Sequence, residues 1–275
     1  MKVGYLGPKN SFTFAAASSF FDEEVLEAFA SIPLSLQAIE NKDIDYVVVP
    51  IENSLEGSVH ASIDRLFNKE NLQVFQEIIL PIRQQFLMAT EQMPEKILSH
   101  PQALAQSQQF LEANYPNVPL EAVASTTFAA EYVATHPDER VAAIASPAAA
   151  KEYGLLTVSA DIQDNDLNQT RFWVIGQRGE NQLTTQVAEK ATLFITVPQN
   201  MPGSLHKILS TFAWREIDLN KIESRPLKTS LGEYFFVLDL VVANNQKLIA
   251  YAVKEIELLG GTVQQLGMYP IQENK

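Results

Sequence analysis

The sequence predicts an α/β protein: two lobes around a cleft, followed by a smaller βαββαβ unit. Three observations predict this. Strand and helix signals alternate through residues 1–178, in two series that meet near Leu80-Pro81. A polar stretch without period, Gly179 to Glu189, then interrupts them. Beyond it the order of elements changes to strand, helix, strand, strand, helix, strand.

In the first series, Val3 to Leu6 reads as a short strand ended by Gly7-Pro8. Ser11 to Phe21 then carries apolar residues at helical spacing. Tyr46 to Val49 is a continuous β-branched run, the mark of a strand buried on both faces, and Pro50 stops it. Ile63 to Phe67 reads as helix and Leu72 to Leu80 as extended chain. The second series opens with a strand at Ile97-Leu98 and a helix over Pro101 to Asn114, with Pro in its first turn. Ala122 to Ala124, Val141 to Ala145, Leu156 to Ser159 and Phe172 to Ile175 read as strands. Thr126 to Thr135 and Pro147 to Tyr153 read as helices, with Gly154 as the residue closing the second. This rhythm predicts parallel sheets, with ligand at the C-terminal ends of the strands.

After the linker, Thr192 to Val197, Leu219 to Ser224, Tyr234 to Val242 and Thr262 to Tyr269 read as strands. A turn near Gly232 joins the middle pair, and helices cover Gly203 to Trp214 and Gln246 to Leu259. The order is the ferredoxin-like one. The expected division is residues 1–178, a linker at 179–190 and residues 191–275, with hinges near residue 80 and at 160–170.

A chain of 275 residues is long enough for about two domains. With 46% hydrophobic and 19% charged residues it has the composition of a globular protein rather than a disordered one. The formal net charge is −13. Residues 1–179 hold 23 acidic and 11 basic side chains, so nearly all the acidity lies in the two-lobed part. Such a chain is unsuited to nucleic acid, where phosphate contacts dominate, and to an anionic membrane surface. Cysteine is absent, which excludes disulfides, thiolate metal sites and cysteine nucleophiles. There is no apolar leader and no run of about 18 apolar residues. A cytoplasmic protein is expected.

Familiar phosphate, hydrolase and metalloprotease motifs are missing. His60, His100, His136 and His206 are scattered, so no metal site is expected. Asp161, Asp164 and Asp166 crowd one loop without the Gly and Glu of a calcium loop. What the chain does hold is four polar clusters near strand ends. They are Gly7 to Thr13, Pro50 to Val59, Ser99 to Gln106, and Asn168 to Phe172. Helix N-termini present free N–H groups and a positive dipole end, so they bind carboxylates without a lysine. Ser11, Thr13, Asn53 and Ser54 add hydroxyl or amide donors. Gln102 and Gln106 share one helix face. Arg171 offers a planar fork to a carboxylate, and equally to a structural ion pair. Each Ser, Thr or Asn at a helix start is also simply an N-cap. Together the clusters point to a small anion as ligand.

Pro50-Ile51-Glu52-Asn53-Ser54 with Gly57 resembles the P-[IV]-E-N-S-x-x-G motif of prephenate dehydratases. Ser99-His100-Pro101-Gln102-Ala103-Leu104-Ala105-Gln106 is similar to their SHPQALAQ segment, and Thr170-Arg171-Phe172 to their TRF motif. The opening Gly7-Pro8 through Thr13 resembles their GPxGTFS, with Asn10 in place of a Gly; Asn tolerates positive φ better than most residues. The C-terminal part resembles their regulatory ACT domain, through Pro202 to Leu205 and the Glu223-Ser224-Arg225-Pro226 segment.

The resemblance implies a two-lobed, periplasmic-binding-protein-like (type II) catalytic domain. It would convert prephenate to phenylpyruvate without metal or organic cofactor. It implies Thr170 at the leaving hydroxyl, with Asn53, Ser54, Ser99 and Gln106 as donors in the cleft. Arg171, Phe172, Ser11, Thr13, Gln102 and His100 would bind substrate. Glu52 would either acidify the site or fix Asn53 and Ser54, and His100 would be a general acid or a cap. For the ACT domain it implies inhibition by L-phenylalanine, bound by Gly203, Ser204, Leu205, Glu223, Ser224 and Arg225. Such sites form between paired domains, so a homodimer or homotetramer is expected. An enzyme preferring arogenate, or a non-catalytic small-anion binder on the same fold, remain the alternatives.

Overall fold

The computed structural model describes all residues except 181, 198–201, 229–232, 243–245 and 275. In lobe one the elements run β1 (Val3–Leu6), α1 (Phe12–Ser18), β2 (Leu26–Phe29), α2 (Ile32–Asn41), β3 (Tyr46–Asn53), β4 (Gly57–Ser58), α3 (His60–Leu66) and β5 (Leu72–Pro81). In lobe two they run β6 (Gln85–Met88), β7 (Lys96–Ser99), α4 (Pro101–Ala105), α5 (Gln108–Asn114), β8 (Leu120–Ala122), α6 (Thr126–Thr135), β9 (Val141–Ala145), α7 (Pro147–Tyr153) and β10 (Leu156–Ser159). The chain then returns to lobe one as β11 (Gln169–Gln177). The C-terminal unit is β12 (Lys190–Thr196), α8 (Ser204–Ala213), β13 (Leu219–Pro226), β14 (Tyr234–Val241), α9 (Gln246–Leu258) and β15 (Thr262–Tyr269), with β16 (Ile271–Glu273) after it. The turn expected near Gly232 lies outside the described residues.

Each lobe has its own sheet. Lobe one orders its strands β16-β5-β11-β3-β1-β2, with β4 paired to β3; lobe two orders them β10-β6-β9-β7-β8. The strand–helix rhythm predicts parallel sheets, and the β1, β2, β3 and β7, β8, β9 groups are parallel. β11 is antiparallel to both β3 and β5, however, and β6 is antiparallel to β9. These strands carry the chain between lobes, so they enter their sheets from the opposite end. Two crossings therefore connect the lobes, at residues 82–84 and 160–168.

The helix starts obey local chemistry. Ser11, Ser31, Ser125 and Ser146 each accept the N–H three residues on, closing the first turns of α1, α2, α6 and α7. Asn10 has φ +66, the left-handed region anticipated for it. The helix expected over Pro101 to Asn114 is broken in two. The Asp164 N–H donates to Gln106 O (2.6 Å), and the Asp164 carboxylate accepts from Gln109 N (3.1 Å), so a loop distant in sequence ends α4 and starts α5.

The C-terminal sheet has the order β13-β14-β12-β15, all antiparallel, which realises the ferredoxin-like βαββαβ arrangement. One face buries Leu193, Ile195, Leu238 and Leu240 against α8 and α9. The other face buries Phe194, Phe235, Val237, Leu266 and Tyr269 in one continuous core with α2, α3, β3, β5 and β11 of lobe one. Phe67 stacks on Phe235 with ring centroids 4.1 Å apart across that junction. After β15 the chain leaves this sheet, and β16 adds in parallel to the edge of β5. Nothing in the sequence reading foresaw that strand, which is only three residues long.

At Gly267 the backbones of the two units approach closely. A Cβ there would sit 2.6 Å from the Val74 carbonyl oxygen, at φ +148. Gly267→Ala is expected to lower stability by about 2–3 kcal/mol. Urea denaturation measures this, and an unchanged midpoint would contradict the contact.

Candidate active site

A cavity of about 770 Å³ lies between the lobes. Lobe one supplies Ser11, Thr13, Pro50, Asn53, Ser58, Thr170 and Phe172; lobe two supplies His100, Gln102, Gln106, Ser125, Thr126 and Thr127. Among the described lining residues there is no Lys or Arg, and Glu56 is the one carboxylate.

Strand alternation decides what faces the cleft. On β11, Thr170 and Phe172 line the cavity, while Arg171 and Trp173 point to the other side of the sheet. On β3 a register shift sets Arg171 opposite Glu52 but Phe172 opposite Pro50. This bulge puts both Pro50 and Asn53 on the cleft face, which a regular strand would not do.

Asn53 is the hub. Its Nδ2 donates to Thr170 Oγ1 (3.0 Å), Asn168 Oδ1 (2.8 Å) and Gln169 O (3.2 Å). Its Oδ1 accepts from the N–H groups of Leu55 and Glu56, which shapes the turn into β4. Asn168 Nδ2 in turn donates to Gln106 Oε1 (3.0 Å). A chain of amides thus crosses from lobe two to Thr170. An amide N–H can only donate, so the Thr170 hydroxyl keeps its own proton for another acceptor. No protein acceptor for it exists among the described residues.

Of the residues singled out from sequence, Thr170, Asn53, Gln106, Phe172, Ser11, Thr13, Gln102 and His100 come together at the cavity. His100 also caps α4, its Nδ1 accepting from Gln102 N at 3.3 Å. Glu52, Ser54, Ser99 and Arg171 are not among the lining residues. Ser99 is fully buried and its hydroxyl donates to Ile144 O (2.6 Å), tying β7 to β9. Ser54 holds the loop before β11, donating to Leu167 O and accepting from Gln169 N. Four polar lining residues were missed. Ser125, Thr126 and Thr127 repeat the signal used elsewhere, a strand end followed by hydroxyl residues opening a helix. Gln84 sits in a crossing, where no period marks it.

Arg171 belongs to a buried charge cluster on the far side of the sheet. Its guanidinium donates to Glu52 (2.6 Å), Glu77 (2.6 Å) and Asp239 of β14 (2.7 Å). Lys190 meets Glu77 at 2.5 Å, and Lys221 of β13 meets Glu52 at 2.6 Å. Of the two readings open for Arg171, the geometry is that of the structural ion pair. Burial lowers the affinity of Arg171 for its proton, but Asp239 and Glu77 outweigh it and raise that affinity overall. Burial by itself raises the Glu52 carboxyl, yet Lys221 and Arg171 hold it below its ordinary value. Glu77 is lowered in the same way by Arg171 and Lys190. Glu52 is therefore an ionised anchor, not a protonated acid, and it fixes the strand that carries Asn53.

The residues expected to bind phenylalanine fall in two places. Gly203, Ser204 and Leu205 open α8, with Gly203 at φ +83. Glu223, Ser224 and Arg225 lie on β13, an edge strand. Lys221, Glu223 and Arg225 alternate toward lobe one, where Glu223 accepts from Ser58 Oγ (2.5 Å) and Arg225 pairs with Asp64 (3.1 Å). Ser224 faces the exposed side.

Arg171→Met is expected to cost about 3–5 kcal/mol by urea denaturation at pH 7, because it leaves buried carboxylates short of a partner. A substrate clamp would instead raise KM with stability unchanged. Glu52 and Glu77 ionise at lower pH in the folded chain than in the unfolded one. Their contribution is thus present above 4.5, the ordinary glutamate value, and is lost as pH falls through the folded values. The same variant should show a shallower acid decline.

The family model for prephenate dehydratase matches residues 3–180. The chain is 45% identical over 273 residues to the prephenate dehydratase of Lactococcus lactis subsp. cremoris MG1363, covering 98% of each. It is 42% identical over 282 residues to that of Bacillus subtilis 168, again covering 98% of each. Among solved structures, a prephenate dehydratase from Arthrobacter aurescens in complex with L-Phe superposes with TM-score 0.88 at 28% identity, over 98% of this chain and 90% of that one. That from Staphylococcus aureus Mu50 superposes with TM-score 0.82 at 28% identity, over 98% and 100%. A matched model over most of the chain, full-length relatives above 40% identity and a shared fold leave one conclusion: the chain belongs to the prephenate dehydratase family.

Proposed function

We propose that the inter-lobe cleft catalyses the decarboxylating dehydration of prephenate to phenylpyruvate. The ring carboxylate leaves as CO₂, and its bonding electrons enter the ring. The ring C–O bond breaks, and the hydroxide departs with a proton as water. Aromatisation drives the step, so the protein must orient the dianion and assist the leaving hydroxyl. Neither a redox partner nor a covalent carrier is needed for this chemistry.

The observation that carries this reading is the Asn53 to Thr170 hydrogen bond. It leaves the Thr170 proton available to the leaving oxygen. A threonine hydroxyl is a weak acid, so it hydrogen-bonds and orients rather than delivering a full proton. Asn53 positions Thr170, and Asn168 with Gln106 braces Asn53 across the cleft. Helix N-termini and side-chain amides and hydroxyls hold the anion, since the described lining has no Lys or Arg. This also accommodates a dianion in a strongly acidic domain, because net charge describes the outer surface while binding is local.

For regulation, the reading is inhibition by L-phenylalanine at the C-terminal unit, through Gly203 to Leu205 and Glu223 to Arg225. The relative solved with L-Phe supports it. So does the open edge of β13, which offers a second copy a place to pair, in a dimer or a tetramer. The catalytic unit is assigned to residues 1–178 and the regulatory unit to 191–275, in a cytoplasmic enzyme. No helix among the described residues is long and apolar enough to cross a membrane.

Turnover of prephenate, followed as phenylpyruvate formed, tests the activity, with arogenate assayed beside it. Thr170→Val should lower kcat by about 100-fold or more, with KM changed little. Unchanged turnover would remove Thr170 from its role. Phenylalanine should inhibit the enzyme and bind it by calorimetry; absence of both would remove the regulatory reading.

A further inference from the structure

The cleft contains a donor set that the roles above leave unused. Thr127 is 2% exposed and lines the cavity, yet its Oγ1 is buried with no hydrogen-bond partner. A buried hydroxyl left this way costs about 1–3 kcal/mol unless a ligand satisfies it. Thr127 is the second residue of α6, a ten-residue helix whose start points at the cleft. Ser125 already caps Phe128 N (3.0 Å) and accepts Ala129 N (3.2 Å). The N–H groups of Thr126 and Thr127 have no partner among the described residues. Two backbone donors, one hydroxyl and the positive end of a helix dipole thus converge where no Lys or Arg reaches.

We infer that the start of α6, with the Thr127 hydroxyl, is the docking site for the side-chain carboxylate of the substrate. The inference rests on the reaction proposed above. Prephenate carries two carboxylates, and the chemistry separates them. The ring carboxylate must lose its charge as CO₂, so donors holding it would stabilise the ground state and slow the step. The side-chain carboxylate is unchanged from substrate to product. A strong anion site can hold it equally in both, which lowers KM without affecting kcat. Thr127 in lobe two would thereby fix one end of the substrate, while Thr170 in lobe one meets the ring hydroxyl.

Thr127→Val keeps the shape and removes only the hydroxyl. It should raise KM for prephenate about tenfold and leave kcat within twofold. The inhibition constant of phenylpyruvate, which retains this carboxylate, should weaken by a similar factor, and Thr127→Ser should restore both. Thermal stability should hold or rise, because an unpaired buried hydroxyl is replaced by a methyl; a structural role would lower it. An unchanged KM would overturn the inference. So would a raised KM with phenylpyruvate inhibition unaltered, since the hydroxyl would then serve a different group. Calorimetry of phenylpyruvate with wild type and Thr127→Val reads the anion site independently of turnover. Weaker binding to the variant would uphold the site even if prephenate proved not to be consumed.

Discussion

The buried ion cluster around Arg171 is the constraint on which the rest depends. Three cations, Arg171, Lys190 and Lys221, meet three carboxylates, Glu52, Glu77 and Asp239. Glu77 is 0% exposed and Asp239 is 1% exposed, so neither carboxylate could be left unpaired without a cost of several kcal/mol. The cluster draws one member from each of six strands: β3, β5, β11, β12, β13 and β14. It also holds its neighbours in a defined state. Burial first pushes the Tyr269 hydroxyl well up, and Asp239 and Glu77 push it further. The tyrosine stays protonated beside Thr192, whose own hydroxyl donates to Asp239 (2.7 Å). Removing the C-terminal unit would open both this cluster and the shared apolar core.

The same strands serve the cleft from their other face. Glu52 precedes Asn53 on β3, and Arg171 follows Thr170 on β11. In each pair one residue is locked to the C-terminal sheet and its neighbour faces the cavity. The positions of Asn53 and Thr170 are thus fixed by backbone that the ion cluster holds. Lys221 strengthens this link, since its ammonium meets both Glu52 and Ser58 across the β3–β4 hairpin. The unit read as regulatory touches the strands that carry the site directly, without an intervening relay.

Much of the site was legible because polar clusters at strand ends are a local signal. Ser11, Asn53, His100, Gln102, Gln106 and Thr170 stand in runs whose chemistry can be read residue by residue. Arg171 stayed open between a clamp and an ion pair, because a guanidinium beside a donor threonine suits either. Extending the strand read at Phe172 to Ile175 back by two residues puts Thr170 and Arg171 on opposite faces. Thr127 was missed although Ser125-Thr126-Thr127 carries the same signal as the clusters that were found. Gln84 had no such signal, since its place comes from a crossing between the sheets.

By itself the sequence determined the element types, the two-lobed plan, the βαββαβ order and the candidate residues. These follow from hydrophobic period, capping and turn chemistry, all of which act over a few neighbouring residues. Tertiary structure alone decided four things. They are the antiparallel entry of β11, the bulge that turns Asn53 to the cleft, the break between α4 and α5, and the partners of Arg171. Each depends on groups far apart in the chain, such as Asp164 with Gln109 or Arg171 with Asp239. A buried charge or an open carbonyl is satisfied by whatever the fold brings near it, and local spacing does not encode which group that is.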